Sequence, residues 1–258
     1  MNAVRDTLAP GGKLLAYLTA GAPTGEAFLA AAEGAVRGGA ALLEIGLPSQ
    51  DPFADGPLLR RTHAEALRGG VTFGRTLDLA ARLKARVAAP LVLLAYAGDL
   101  PDGREAPEEA AEAGFQGILV PGLREEEAPR LEAWARAGLH PAALLDPERG
   151  AEPPSWASAF LYVARHGGKT GERSAPSPAL FSFLDRLAAR SPLPRVAGFG
   201  VRTAAEAARL WRHAEGVAVG SALAEALYGN PGGDPAAAAL RRIRRFFERI
   251  ETLKEKTP

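Results

Sequence analysis

The residues best suited to chemistry in this 258-residue chain crowd into one stretch. Leu42-Leu43-Glu44-Ile45-Gly46 is an apolar run broken by a single carboxylate. It passes into Leu47-Pro48-Ser49-Gln50-Asp51-Pro52-Phe53-Ala54-Asp55-Gly56-Pro57, a stiff loop that carries two more acids. A carboxyl among apolar neighbours has its pKa raised, so it can hold a proton at neutral pH and deliver it. The same Glu44 could instead pair with a Lys or Arg inside the fold, and the sequence leaves both readings open. Asp55 before Gly56 and Asp51 before Pro52 also read as ordinary turn residues.

The elements that must position these residues are short apolar runs separated by helical segments. Strands are expected at 13–20, 41–46, 91–95, 116–120, 141–145, 160–163, 195–199 and 216–220. Helices are expected at 25–37 with Thr24 as N-cap, 61–68, 73–87 with Thr72 as N-cap, 107–113, 125–137, near Ser155, and at 179–189, 203–211, 221–227 and 235–253. Strands alternating with helices at a spacing of about 30 residues mean βαβ units and a parallel sheet. Eight such units point to an α/β fold of the (β/α)₈ TIM-barrel type rather than to an open doubly wound sheet. No linker or tandem repeat divides the chain. One barrel domain over residues 1–258 with an extra C-terminal helix is therefore expected.

Barrel enzymes work at the C-terminal ends of their strands. The candidates are then Tyr17, Glu44, Tyr96, Pro121-Gly122, Tyr162, Gly198 to Gly200 and Gly220-Ser221. The last two groups are Gly-containing turns after the seventh and eighth strands, and the second leads straight into a helix. Backbone N–H groups at a helix N-terminus, uncluttered by side chains, suit a phosphate. Gly168-Lys169-Thr170 suggests a P-loop, but that motif needs a Gly where Val163 stands. His63, His140, His166 and His213 are scattered, with no pair at the spacing of a helical metal site, and only His166 is expected at the active end. Arg241-Arg242-Ile243-Arg244-Arg245 beside Phe246-Phe247 reads as the solvated face of a terminal amphipathic helix.

Composition narrows the function classes. Hydrophobic residues make up 47% and charged residues 24%, enough to bury a sizeable core. A net charge of +1 gives no field for nucleic acid or an anionic membrane. Cys is absent, which excludes disulfides and thiolate chemistry and fits a reducing cytoplasm. Neither a secretory leader nor a membrane span is expected.

The stretch around Glu44 closely resembles the signature of the tryptophan synthase alpha subunit family. Tyr17-Leu18-Thr19-Ala20-Gly21-Ala22-Pro23 resembles that family's first strand and turn, Gly198-Phe199-Gly200-Val201 its seventh-strand phosphate turn, and Gly220-Ser221-Ala222 its eighth. Tyr162 and Thr170-Gly171 fall where the family has its sixth strand and mobile loop, and the likeness runs in register from Leu14 to about Leu227. The resemblance implies a (β/α)₈ barrel that cleaves indole-3-glycerol phosphate to indole and glyceraldehyde 3-phosphate without metal or organic cofactor. It implies Glu44 as the acid–base group and Asp55 as acceptor of the indole N–H. It implies Gly171, Gly198, Gly200, Gly220 and Ser221 around the phosphate, with Thr170 beside them. Tyr17 would flank the indole, Tyr96 would line the site and Tyr162 would support Glu44.

The chain departs from the family pattern at the elements that face the family's beta subunit. Ser49-Gln50 stands where an aromatic-Ser pair is usual, and Ala97-Gly98-Asp99 follows Tyr96 in a shortened segment. Gly122 and Arg124 replace an Asp and a Pro, and His166-Gly167-Gly168-Lys169 precedes Thr170-Gly171. The expectation is retained lyase chemistry with weak, altered or absent coupling to a beta subunit. Other readings are an alpha-like subunit that only binds a partner, and another phosphate-ester lyase or isomerase on the same barrel.

Overall fold

The structure, a computed structural model, describes residues 2–148, 152–164, 177–198, 200–229 and 232–254. Eight parallel strands close into a barrel in sequence order, each paired with the next and the eighth with the first. They are β1 (Lys13–Thr19), β2 (Leu42–Gly46), β3 (Leu91–Leu94), β4 (Phe115–Leu119), β5 (His140–Leu145), β6 (Leu161–Val163), β7 (Arg195–Ala197) and β8 (Gly216–Val219). Around them, in chain order, lie α1 (Ala3–Leu8), α2 (Gly25–Arg37), α3 (Pro57–Arg68), α4 (Phe73–Lys84), α5 (Ala106–Glu112), α6 (Leu131–Arg136), α7 (Pro178–Arg190), α8 (Ala204–Leu210), α9 (Ser221–Tyr228) and α10 (Pro235–Lys254).

The strands read as near-continuous apolar runs because both faces of a closed parallel sheet are covered. Leu14, Leu18, Leu43, Ile45, Leu93 and Ile118 belong to a buried layer shared with helix residues such as Phe28, Leu79 and Leu83. Leu15, Tyr17, Leu42, Val92, Leu94, Leu119, Phe160, Tyr162 and Val196 form a second cluster that fills the barrel. Alternation along a strand assigns neighbours to opposite faces. Tyr17 and Glu44 are register partners across β1 and β2, so their side chains stand next to each other.

The sequence reading misses α1. Its Val4 and Leu8 are fully buried and join the interior cluster, so this short helix closes the barrel end opposite the candidate site. Asn2 caps it by accepting from the Arg5 N–H, and Asn2 Nδ2 donates to the Ser158 carbonyl. Around Ser155 there is a turn and no helix. The expected helix 125–137 is a 3₁₀ turn (Glu125–Arg130) followed by α6, because Pro129 inside it has no N–H to give. Helix α3 begins at Pro57, four positions before the expected start, because proline is pre-set for the first helical position. At the other end of the chain α10 packs on α2, α8 and α9. It buries Ile243 and exposes Arg241, Arg244 and Arg245, while the side chains of Phe246 and Phe247 lie outside the described residues. Among the described residues no helix is long and apolar enough to cross a membrane.

Candidate active site

A cavity opens at the C-terminal ends of the strands. Leu59, Leu94, Leu119, Leu144, Pro121, Val201 and Ala218 give it an apolar wall. Its polar groups are Tyr17, Glu44, Asp55, Tyr96, Tyr162 and Ser221, with the Gly200 and Gly220 backbone at one edge. Two glycines shape the space behind. A Cβ on Gly46 would collide with the Tyr17 hydroxyl, and one on Gly198 with that of Tyr162. The strand ends are thus notched to seat the two tyrosine rings beneath the cavity.

Glu44 sits in this wall fully buried, and neither carboxyl oxygen has a hydrogen-bond partner among the described residues. The alternative of a Lys or Arg partner inside the barrel is therefore not what the described residues contain. Burial pushes its pKa up to about 8. An isolated carboxylate here would lose its hydration with nothing in return, so the neutral acid is the favoured form at pH 7. Tyr17 and Tyr162 are also buried, and both phenols are raised well above their ordinary value, first by burial and then by the nearby carboxylates.

Asp55 faces the cavity from the opposite kind of setting. Its Oδ2 accepts a 2.7 Å hydrogen bond from the Tyr96 hydroxyl and lies 3.2 Å from His63 Nε2. Burial and the Asp55 charge both raise the Tyr96 pKa, so the phenol keeps its proton and remains a donor. The loop that carries Asp55 is tied to α3, where Arg60 Nε donates to the Asp55 carbonyl at 2.8 Å. Phe53, at the loop tip, lays its ring edge on Tyr96 with centroids 4.9 Å apart, although 42% of the residue stays exposed. Gly122, at φ +81°, gives this ring room, since a Cβ there would sit 2.9 Å from Phe53 Cζ.

The third part of the site is the β7 and β8 turns. Gly200 has φ +85°, a left-handed conformation that suits glycine. Gly220 is the N-cap of α9, and its carbonyl receives the N–H groups of Leu223 and Ala224. The Ser221 and Ala222 amides precede these first helical bonds, which leaves them for an outside acceptor. Ser221 Oγ is buried at the cavity edge with no partner among the described residues. Helix dipole, amides and hydroxyl together suit an anion.

Of the residues expected from sequence, Tyr17, Glu44, Asp55, Tyr96, Tyr162, Gly200, Gly220 and Ser221 line one cavity. Gly198 does not line it and instead accommodates Tyr162. Thr170, Gly171, His166 and Lys169 lie outside the described residues. One sequence reading needs correction. The sequence points to His166 alone among the histidines at the active end, yet His63 is there, fully buried beside Asp55. Within the loop that departs from the family pattern, Ser49 is buried and its N–H donates to His63 Nδ1 at 2.9 Å, while Gln50 is exposed. The missed signal is the stripe Leu59-Thr62-His63-Ala66, the buried face of α3, which becomes visible once the helix starts at Pro57.

The sequence profile of the family described as tryptophan synthase alpha chain matches residues 7–254. The tryptophan synthase alpha chain of Shouchella clausii is 35% identical, over 86% of this chain and 85% of its own. That of Haloferax volcanii is 34% identical, over 96% of this chain and 93% of its own. Among solved structures, the tryptophan synthase alpha chain of Legionella pneumophila superposes with a TM-score of 0.85 at 27% identity, covering 98% of both chains. A tryptophan synthase structure from M. tuberculosis, in an aminoacrylate-bound form, gives a TM-score of 0.81 at 29% identity, covering 95% of this chain and 99% of that one.

Proposed function

The chain belongs to the tryptophan synthase alpha chain family and is an enzyme of that type, and we propose that it cleaves indole-3-glycerol phosphate to indole and glyceraldehyde 3-phosphate, a step of tryptophan biosynthesis. The observation that carries the reading is Glu44: a fully buried carboxyl with no hydrogen-bond partner among the described residues and a pKa near 8, in the wall of an apolar cavity.

In the proposed mechanism Glu44, as the neutral acid, gives its proton to C3 of the indole. The ring then carries positive charge, which the N–H passes to the Asp55 carboxylate as a strengthened hydrogen bond. Glu44, now ionised, takes the proton of the glycerol hydroxyl next to the ring. The bond between that carbon and C3 breaks, its electron pair returns to the ring, and the carbon becomes the aldehyde. Glu44 ends protonated again, so the cycle closes without a metal or organic cofactor. One group serves as acid and then base most effectively when its pKa lies near the working pH. The phosphate is assigned to the Gly200, Gly220 and Ser221 end, with Gly198 behind Tyr162, and Thr170 and Gly171 are proposed to complete it. Incubating the purified chain with indole-3-glycerol phosphate and following indole release tests this. Steady release is expected, and none above the uncatalysed background would refute it.

The family implies a beta subunit as partner. Here we propose that coupling to it is weak, altered or absent, because Gln50, Gly122 and Arg124 depart from the family pattern and Ser49 is turned inward onto His63. The corresponding beta chain, titrated into the cleavage assay, is expected to change the rate by less than about tenfold, that is, to couple at under about 1.4 kcal/mol.

A further inference from the structure

His63 does more than fill space under the Asp55 loop. Two independent chains of hydrogen bonds meet on its ring, and each decides where its proton sits. From one side, the Ser49 N–H donates to Nδ1 at 2.9 Å, so Nδ1 is an acceptor and a neutral ring carries its hydrogen on Nε2. From the other side, Thr62 Oγ1 donates to the Leu59 carbonyl at 2.7 Å, which uses its one hydrogen. The 2.6 Å contact between Thr19 and Thr62 must then be donated by Thr19. The 3.3 Å contact between Tyr17 and Thr19 must be donated by Tyr17. Tyr17 oxygen is left to accept at 3.0 Å from Nε2, which requires the hydrogen there. Both routes place it on the same nitrogen. Asp55 Oδ2 lies 3.2 Å from the same nitrogen, an electrostatic contact beside the hydrogen bond to Tyr17.

We propose that His63 is a positioning residue for the cleavage reaction: held as the Nε2–H tautomer by the Ser49 amide, it donates that hydrogen to Tyr17 and keeps the N–H edge of its ring 3.2 Å from Asp55 Oδ2, which steadies the indole-facing carboxylate against the barrel wall. The proposal rests on the reading of Asp55 as acceptor of the indole N–H. Tyr96, at the end of β3, donates to Oδ2, and His63, on α3, sets its Nε2 3.2 Å from the same oxygen. Every hydroxyl in the relay has its hydrogen assigned, so the Tyr17 ring, next to Glu44 in the ladder, is held as well. Thr19, Thr62 and His63 are all buried, so water does not compete for these bonds.

The test compares two isosteres with opposite halves of the imidazole. His63→Gln can reach the Nε2 position with an amide N–H, whereas His63→Asn can satisfy the Ser49 N–H but cannot reach Asp55 or Tyr17. For indole-3-glycerol phosphate cleavage, His63→Asn is expected to lose about 10- to 100-fold in kcat/KM and His63→Gln to stay within about fivefold, the scale of a buried polar group left without its partner. If His63 acts through Asp55, His63→Asn adds less than about twofold to the loss already caused by Asp55→Asn. In the wild type, a long-range ¹H–¹⁵N spectrum should show His63 protonated on Nε2 and bare on Nδ1, a readout that needs no variant to fold. Equal losses in the Gln and Asn variants, fully additive losses with Asp55→Asn, or a hydrogen on Nδ1 would each overturn the proposal. Full activity in Asp55→Asn would instead refute the underlying role of Asp55.

Discussion

Glu44 and Asp55 stand eleven positions apart, line the same cavity and carry the same functional group, yet their surroundings are opposite. Glu44 is embedded in a strand, fully buried, with no donor to either oxygen among the described residues. Asp55 sits on a loop anchored through Arg60, with a hydrogen bond from Tyr96 to Oδ2 and His63 Nε2 3.2 Å from that oxygen. Deprived of donors, a carboxyl keeps its proton and can hand it over. Held by the Tyr96 hydroxyl beside an imidazole, it is oriented to receive an N–H. Chemical role is thus assigned by the shell around the carboxyl.

The largest expected effect comes from removing the titrating group. Glu44→Gln keeps shape and neutrality but cannot exchange a proton, and is expected to lower kcat for indole release about 10³- to 10⁴-fold. A loss below tenfold would show that the proton comes from elsewhere. Asp55→Asn is expected to cost roughly 10²- to 10³-fold in kcat/KM, since an amide stabilises the developing cation poorly. Should it prove the more damaging of the two, the contrast between the carboxyls would need to be reversed. Tyr96→Phe removes the hydroxyl that donates to Asp55 and leaves the His63 contact, so about a tenfold loss is expected. A loss as large as that of Asp55→Asn would mean that Tyr96 touches the substrate itself.

Stability offers a quieter version of the same comparison. The Glu44 carboxyl has a folded pKa near 8 against an ordinary value of 4.5. The folded state therefore binds a proton that the unfolded state has already released between these limits. Wild-type stability should fall as pH rises through that window and level off above it. Relative to Glu44→Gln, the loss accumulated by pH 7 is of order 3 kcal/mol. Denaturant melts at pH 5, 6, 7 and 8 read this as a widening gap between the two proteins. A constant gap would mean that Glu44 is ionised in the folded state.

Most of the barrel was legible because its signals are local. Runs such as Lys13–Thr19 and Leu91–Leu94 are apolar, short and bounded by Gly or Pro, and α2 and α4 announce themselves with Thr24 and Thr72 caps. Helix α1 was not legible: it has six residues, and only Val4 and Leu8 mark its buried side. Glu44 was conspicuous as a lone acid in a strand, but its isolation is tertiary, since no local pattern tells whether a cation faces it. His63 illustrates the cost of a misplaced boundary. With α3 started at Arg61 its buried stripe is cut short, and the histidine loses the Leu59 and Thr62 neighbours that reveal its inward direction.

The most direct measurement is the titration of the Glu44 carboxyl itself. Wild-type protein labelled with ¹³C at glutamate carboxyls, compared with Glu44→Gln to assign the resonance, follows one group through pH 4 to 10. A single titration near pH 8 is expected, from neutral acid to carboxylate. A midpoint close to 4.5, with the group already ionised at neutral pH, would contradict the central claim that this carboxyl is the proton donor.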